Sequence, residues 1–288
     1  MQSAGRAQYV FWLGLAISDY GRCIGCETVS GITYRNHNYN LLKGSPAFMN
    51  SPPSRLSVVV PVRNEQDNPQ GLIAEICTAL NGVIDYEIIY VDDGSTDSTL
   101  SCLKSAQSQY PQLRIMHHAK SCGQSTAVRT RVKAASGDWI VTLDGDGQND
   151  PADIPKLLAA LGRGVELVGG NRRKSRRDVW AKRISSVIAN VVRSKLLDDN
   201  TPDTGCGLKL FSRDAFLDLP YFDHMHRFLP ALIKRRGGKI LSVAVNHRPR
   251  EHGKSNYGTI DRLLVGIVDL FGVAWLQRRA KLPIVTEE

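Results

Sequence analysis

The segment Asp144-Gly145-Asp146-Gly147-Gln148 sets two carboxylates on either side of one small residue, with an amide two positions further on. Such an oxygen set suits a hard divalent ion. Mg²⁺ in particular takes few carboxylates and lets substrate phosphates and water complete its octahedron. Asp and Gly are also ordinary turn residues, so the pair alone reads equally as a surface loop. Its setting argues for chemistry. Trp139-Ile140-Val141-Thr142-Leu143 reads as a buried strand, and the acids emerge at its end. Asp92-Asp93-Gly94-Ser95 has the same setting after the strand Tyr86–Val91. An acid there can take the ribose hydroxyls or base edge of a nucleotide, or it can cap the helix that follows. Arg63-Asn64-Glu65 forms a third polar cluster, after Leu56–Pro61. Pro61–Glu65 contains no glycine, which excludes the Gly-rich turn of a dehydrogenase, and no P-loop occurs.

The elements that must position these clusters alternate. Strands are predicted at 56–61, 86–91, 113–117 and 138–143, with helices at about 68–80, 97–109 and 124–135 between them. That alternation implies an α/β fold with a mostly parallel central sheet flanked by helices. Ligands in such sheets bind beyond the carboxyl ends of the strands, where all three polar clusters lie. A helix after Pro155, a strand near Glu166–Gly169, a helix over 179–197 and a strand over 205–211 follow. An amphipathic helix over about 260–279 closes the pattern, and there is no internal repeat.

Composition narrows the partners. The 288 residues are 42% hydrophobic and 23% charged, with 37 Lys+Arg against 28 Asp+Glu and a formal charge of +9. The excess suits an anionic partner: nucleic acid, acidic membrane or phosphorylated substrate. Nucleic-acid binding would want aromatics interleaved on a basic face, and aromatics are only 7% with no such pattern. Six irregularly spaced cysteines do not make a disulfide scaffold, and Cys23-Ile24-Gly25-Cys26 has no second ligand pair to complete a metal site. No apolar run reaches the roughly 18–20 residues of a bilayer span. Tyr9–Ile17 is too short and lacks a cleavage site, while Leu263–Leu276 carries Asp269, so neither a signal peptide nor a span is expected. Residues 1–54 are expected to be a poorly ordered extension with Met49 as the natural start, 55–258 the catalytic domain, and 259–288 an amphipathic helix and tail.

Val60-Pro61-Val62-Arg63-Asn64-Glu65, Val91-Asp92-Asp93-Gly94-Ser95, Gly123-Gln124-Ser125 and Leu143-Asp144-Gly145-Asp146-Gly147-Gln148-Asn149-Asp150-Pro151 together resemble glycosyltransferase family 2. The nearest subset is the polyprenol-phosphate sugar transferases, similar to dolichol-phosphate mannosyltransferase and its bacterial relatives. The resemblance runs from about Leu56 to Leu276 and implies a GT-A fold, a UDP- or GDP-sugar donor, Mg²⁺ or Mn²⁺, and a polyprenyl monophosphate acceptor. By position it assigns Pro61, Val62, Asn64, Glu65, Asp92, Asp93, Asp144 and Gly145 to the nucleotide sugar. Asp144, Asp146 and Gln148 go to the metal. Arg172, Arg183, Ser186, Arg250 and Lys254 go to the acceptor phosphate, and Asp146, Arg172 and Asp203 to catalysis. Arg131 stands where the family has glycine.

The acceptor follows a separate chemical line. A hydroxyl needs a general base to attack at neutral pH. A phosphate monoester, with a second pKa of about 6, arrives largely dianionic. It needs cations that hold it in line with the anomeric carbon. Single displacement would invert that centre and requires no enzyme nucleophile. The enzyme would then sit as a peripheral protein on the cytoplasmic face of the membrane, its C-terminal helix lying in the headgroup region or packed on the core. A family member using a hydroxyl acceptor is the nearest rival, and it would make Asp203 essential. A catalytically dead regulator is disfavoured by the intact Asp144, Asp146 and Gln148. The residues leave the sugar open among mannose, glucose, galacturonate, an aminosugar and formamido-arabinose, and the oligomeric state unread.

Overall fold

The computed structural model describes residues 53–172, 193–199, 201–250 and 259–281, all within one compact unit, Leu42–Glu288. The expected N-terminal extension, the Arg173–Arg177 run and most of the helix expected over 179–197 lie outside the described residues.

Seven strands build one sheet: β1 (Arg55–Val62), β2 (Asp85–Asp92), β3 (Leu113–His117), β4 (Trp139–Thr142), β5 (Val165–Asn171), β6 (Lys209–Ser212) and β7 (Lys239–Ala244), in the order β3-β2-β1-β4-β6-β5-β7. β1 pairs in parallel with β2 and β4, β2 with β3, and β5 with β7; only β6 runs antiparallel to its neighbours β4 and β5. Helices α1 (Pro69–Leu80), α2 (Thr99–Gln107) and α3 (Gln124–Ala134) follow the first three strands. α4 (Ile154–Ala159), α5 (Arg213–Leu217), α6 (Leu229–Arg235) and α7 (Thr259–Arg278) follow later in the chain.

The period-2 geometry of β1 splits its valines between two cores. Val58 and Val60 join Ile73 and Ile76 of α1 on one face, while Val59 joins Val132 of α3 and Leu232 of α6 on the other. Complete burial of each such side chain contributes about 1.5–3 kcal/mol, which holds the strand register that aims the three polar loops. The chain leaves β1 toward β2 and β3, then returns to the other side of β1 as β4. That reversal opens a crevice at the carboxyl ends of β1 and β4.

Four elements depart from the sequence reading. The strand expected over 205–211 begins only at Lys209, because Thr204–Gly207 forms a turn. β7, α5 and α6 carry short or broken apolar patterns and were not anticipated. α7 packs on the domain core along one face and leaves the other exposed. Val273 and Ala274 are buried against the domain, while Val268, Phe271 and Trp275 stand 72%, 64% and 59% exposed. Its last turn is tied down by Arg235 Nε, which donates to Leu276 O at 3.0 Å, and by Gln277 Nε2, which donates to Leu197 O at 2.9 Å. No described helix is long and apolar enough to cross a membrane.

Candidate active site

Three strand ends converge on Asp144 and Asp146. Gly145 lies so close to the end of β1 that a Cβ there would sit 2.4 Å from Val62 Cγ1 and 2.8 Å from Pro61 O. Only glycine lets the acidic loop fold onto that strand. Asp144 N–H donates to Asn149 Oδ1 at 3.0 Å, and its carboxylate accepts from Gln124 Nε2 at 3.1 Å. Gln148 N–H donates to Asp146 Oδ1 at 3.2 Å, and Gln148 Nε2 reaches Arg248 O at 3.4 Å. Burial, reinforced by the charge of Asp146, raises the Asp144 carboxyl above its ordinary range against the opposing pull of Lys209, Arg172 and Gln124. Two acids that press on one another are relieved by a shared cation. The donors are all hard oxygens, so Asp144, Asp146 and the Gln148 carbonyl fit Mg²⁺ or Mn²⁺.

The neighbouring loops are braced rather than open. Asn64 adopts a left-handed φ of 55°; its N–H donates to Ser95 Oγ and its Oδ1 accepts from Thr96 N–H, both at 2.9 Å. This side chain therefore joins two loops, a narrower role than the nucleotide contact implied for it. Asp92 and Asp93 diverge. Asp92 is buried against His117 Nδ1 at 2.8 Å and accepts from Ser95 N–H at 3.0 Å, so it braces the loop. Asp93 accepts from Cys122 N–H and Gly123 N–H at 2.9 and 3.0 Å and from Ser121 Oγ at 2.8 Å, with His118 Nδ1 2.7 Å away. Burial raises its carboxyl, but these four partners outweigh it and hold it below the usual range. Donor atoms of Asp93, His118 and Cys122 lie within 4.8 Å of one another, yet each Asp93 oxygen already accepts two hydrogen bonds. Beneath this strand end Arg131 is completely buried and donates Nη2 to Val91 O at 2.7 Å.

The cations expected at the acceptor are held by carboxylates. Arg172 donates Nε and Nη2 to Asp203 at 2.8 and 3.0 Å and its backbone N–H at 3.2 Å. Burial raises the Asp203 carboxyl, but Arg172's hydrogen bonds and charge overcome that and leave it depressed. Asp203 therefore holds the Arg172 guanidinium in place and is itself held ionised by it. Arg250 is ion-paired with Glu65, which also accepts from Asn68 Nδ2 at 2.7 Å. Burial together with Asp146's charge keeps the Glu65 carboxyl raised despite those two partners. Arg183, Ser186 and Lys254 lie outside the described residues.

Cavities open on both sides of the acidic pair. One, of about 170 Å³, lies between Asp146, Glu75 and Arg248. The other, of about 340 Å³, lies between Asp144, Pro61, Lys209, His226 and Arg227. Gly207 forms the wall against Asp144: a Cβ there would lie 2.1 Å from Asp144 Oδ2. His226 Nδ1 sits 2.7 Å from Ser125 Oγ, the core hydrogen bond that its burial favours. Lys209, Arg227 and Arg248 were not singled out from sequence. Arg248 pairs with Glu75 and Asp150, each at 2.7 Å, and its position two before Arg250 in an extended segment is the signal that would have found it.

A family model described as glycosyl transferase family 2 matches residues 57–219. The chain is 34% identical over 233 residues to dodecaprenyl-phosphate galacturonate synthase of Rhizobium johnstonii, covering 79% of this chain and 69% of that protein. It is 32% identical over 206 residues to undecaprenyl-phosphate 4-deoxy-4-formamido-L-arabinose transferase of Edwardsiella ictaluri, covering 70% of this chain but only 63% of that one. Among solved structures, glucosyl-3-phosphoglycerate synthase of Mycobacterium tuberculosis with Mn²⁺, UDP and glucosyl-3-phosphoglycerate superposes with a TM-score of 0.59 at 21% identity, over 80% of this chain and 81% of that one. The fold is thus of the GT-A type, and the chain belongs to glycosyl transferase family 2.

Proposed function

We propose that this enzyme moves a sugar from a nucleotide-diphosphate sugar to a polyprenyl monophosphate, with inversion. The observation that carries the acceptor class is the Arg172–Asp203 pair. Asp203, the acid that a hydroxyl acceptor would need as general base, is tied to a guanidinium and held ionised by it. Such a carboxylate is a weak proton acceptor at neutral pH, whereas a phosphate dianion needs no base. Among the described residues the 340 Å³ cavity is lined by a single carboxylate, Asp144, which belongs to the metal set. Both relatives act on polyprenyl phosphates by name.

In this reading Asp93 and the loop it fastens meet the nucleoside, and Asp144, Asp146 and Gln148 hold Mg²⁺ or Mn²⁺. The ion, when bound, neutralises the diphosphate as the glycosidic bond breaks. Arg172, oriented by Asp203, and Arg250, oriented by Glu65, present fixed positive charge to the incoming phosphate. The exposed Val268, Phe271 and Trp275, followed by Arg278, Arg279 and Lys281, face an anionic lipid surface and bring the site to its membrane-bound acceptor.

The test is transfer of labelled sugar from a panel of UDP- and GDP-sugars to undecaprenyl phosphate with Mg²⁺ or Mn²⁺, alongside Asp146→Ala. An organic-extractable, metal-dependent product that the variant does not make supports the reading. Nucleotide binding with metal, but no product from any donor, sinks the polyprenyl acceptor.

A further inference from the structure

The cavity beside Asp144 holds a cation that no described carboxylate neutralises. Around the site, Arg172, Arg248 and Arg250 are each ion-paired with a carboxylate. Arg227 also lines the cavity, and its guanidinium makes no hydrogen bond or ion pair among the described residues. The cavity's one acid, Asp144, already has Gln124 and the charge of Lys209 as partners. Lys209 is buried and donates to Cys206 O. His226, the residue before Arg227, is held neutral by burial and by the charges of Lys209 and Arg227, with Ser125 on its Nδ1. Three basic groups thus face one chamber, and among the described residues no carboxylate answers Arg227. A guanidinium stays charged at any physiological pH and matches a carboxylate with two parallel donors.

The shape of the chamber selects the source of that anion. Leu143, Cys206 and Leu229 line it and are buried, and Thr142 is nearly so. A compact ring substituent fits there. A polyprenyl chain is far too large for a cavity of about 340 Å³. We propose that the transferred sugar is a uronic acid and that Arg227 is the counter-ion of its carboxylate. This rests on the reading of the chain as a nucleotide-sugar transferase and adds the class of sugar and the residue that selects it.

The experiment uses the whole chain with Mn²⁺ and three matched donor pairs: UDP-glucuronate and UDP-glucose, UDP-galacturonate and UDP-galactose, GDP-mannuronate and GDP-mannose. Donor affinity is measured by calorimetry without acceptor, then transfer to undecaprenyl phosphate, for wild type, Arg227→Met and Arg227→Lys. At least one uronate should bind roughly 10- to 100-fold more tightly than its neutral partner, the range of a hydrogen-bonded charge. Arg227→Met should erase that difference and leave neutral-sugar affinity unchanged, and Arg227→Lys should restore part of it. The proposal is overturned if no uronate is preferred or bound, or if Arg227→Met weakens both members of a pair alike. It is also overturned if the variant raises KM for undecaprenyl phosphate alone, which would place Arg227 at the acceptor. Uronate preference without transfer would leave this inference standing and remove the polyprenyl acceptor.

Discussion

Asp203→Asn separates the two chemistries this fold supports. The side chain is 6% exposed and its partner Arg172 is 12% exposed. Three hydrogen bonds at 2.8, 3.0 and 3.2 Å join them. Neutralising one member of a buried ion pair costs about 3–5 kcal/mol, because the other charge stays buried without its counter-charge. The amide oxygen still accepts one bond, so the lower end, about 3 kcal/mol, is expected. For a domain of this size that corresponds to a fall of about 6–12 °C in Tm. Arg172 also loses its orientation, and kcat/KM should fall by up to about 100-fold, the scale of a misplaced contact group. Differential scanning fluorimetry and steady-state transfer kinetics on the same preparations measure both. The sign in pH follows from the depressed carboxyl: the pair's stabilisation is present above the ordinary carboxylate range and disappears as pH falls through Asp203's lowered value. An unchanged Tm with abolished turnover would refute the argument. Asp203 would then be the general base, and the acceptor a hydroxyl.

Three further outcomes follow from other parts of the structure. Gly207→Ala drives a methyl group into the Asp144 carboxylate, 2.1 Å from Oδ2 by geometry; metal-dependent turnover should fall at least about 100-fold, with weaker Mn²⁺ binding by calorimetry in the presence of UDP. Glu87 is buried, and although burial raises its carboxyl, hydrogen bonds from Ser57, from Ser136 through both N–H and Oγ, and from Arg114 bring it down from 4.5 to about 2. Its stabilisation, about 3 kcal/mol, should be fully present above pH 4.5 and vanish as pH falls toward 2, so urea titrations of wild type and Glu87→Gln should converge across that window. Wild type should co-sediment with anionic vesicles at low salt and be released as salt rises, while Phe271→Ser with Trp275→Ser should stay in the supernatant. Wild type that remained in the supernatant at low salt would remove the lipid-facing role of α7.

The sheet was legible because its strands are short β-branched runs with a helix-length interval between them. β1 through β4 sit within two residues of where the pattern put them. β6 and β7 were harder for a physical reason. β6 is four residues long, and β7 is an edge strand whose side chains are exposed or half-buried, so neither shows a clean alternation. The acidic loops were legible too, since Asp144-Gly145-Asp146 follows a strand that could not be mistaken. Which of Asp92 and Asp93 faces the site was not. That depends on the loop at Ser121–Gly123, 28 or more residues away in sequence, folding back to donate to Asp93. The pairing of Arg172 with Asp203 spans 31 residues and likewise leaves no local mark.

Those long-range pairs bear directly on mechanism. A hydroxyl-transferring site needs a carboxylate whose proton affinity is high enough to take a proton, so burial without a cationic partner would serve it best. Here burial acts on Asp203 in that direction, and the guanidinium reverses it. Glu65, which is paired with Arg250, does keep a raised carboxyl, but its other neighbours are Asn68 and Asp146 on the metal side of the site. The arrangement converts Asp203 into a support for a cation and leaves the proton-accepting capacity elsewhere. Positive charge fixed in advance, with no base beside it, is what an already ionised acceptor requires. Arg227 extends the same logic to the cavity beside Asp144, where a charge without a carboxylate partner among the described residues awaits the substrate.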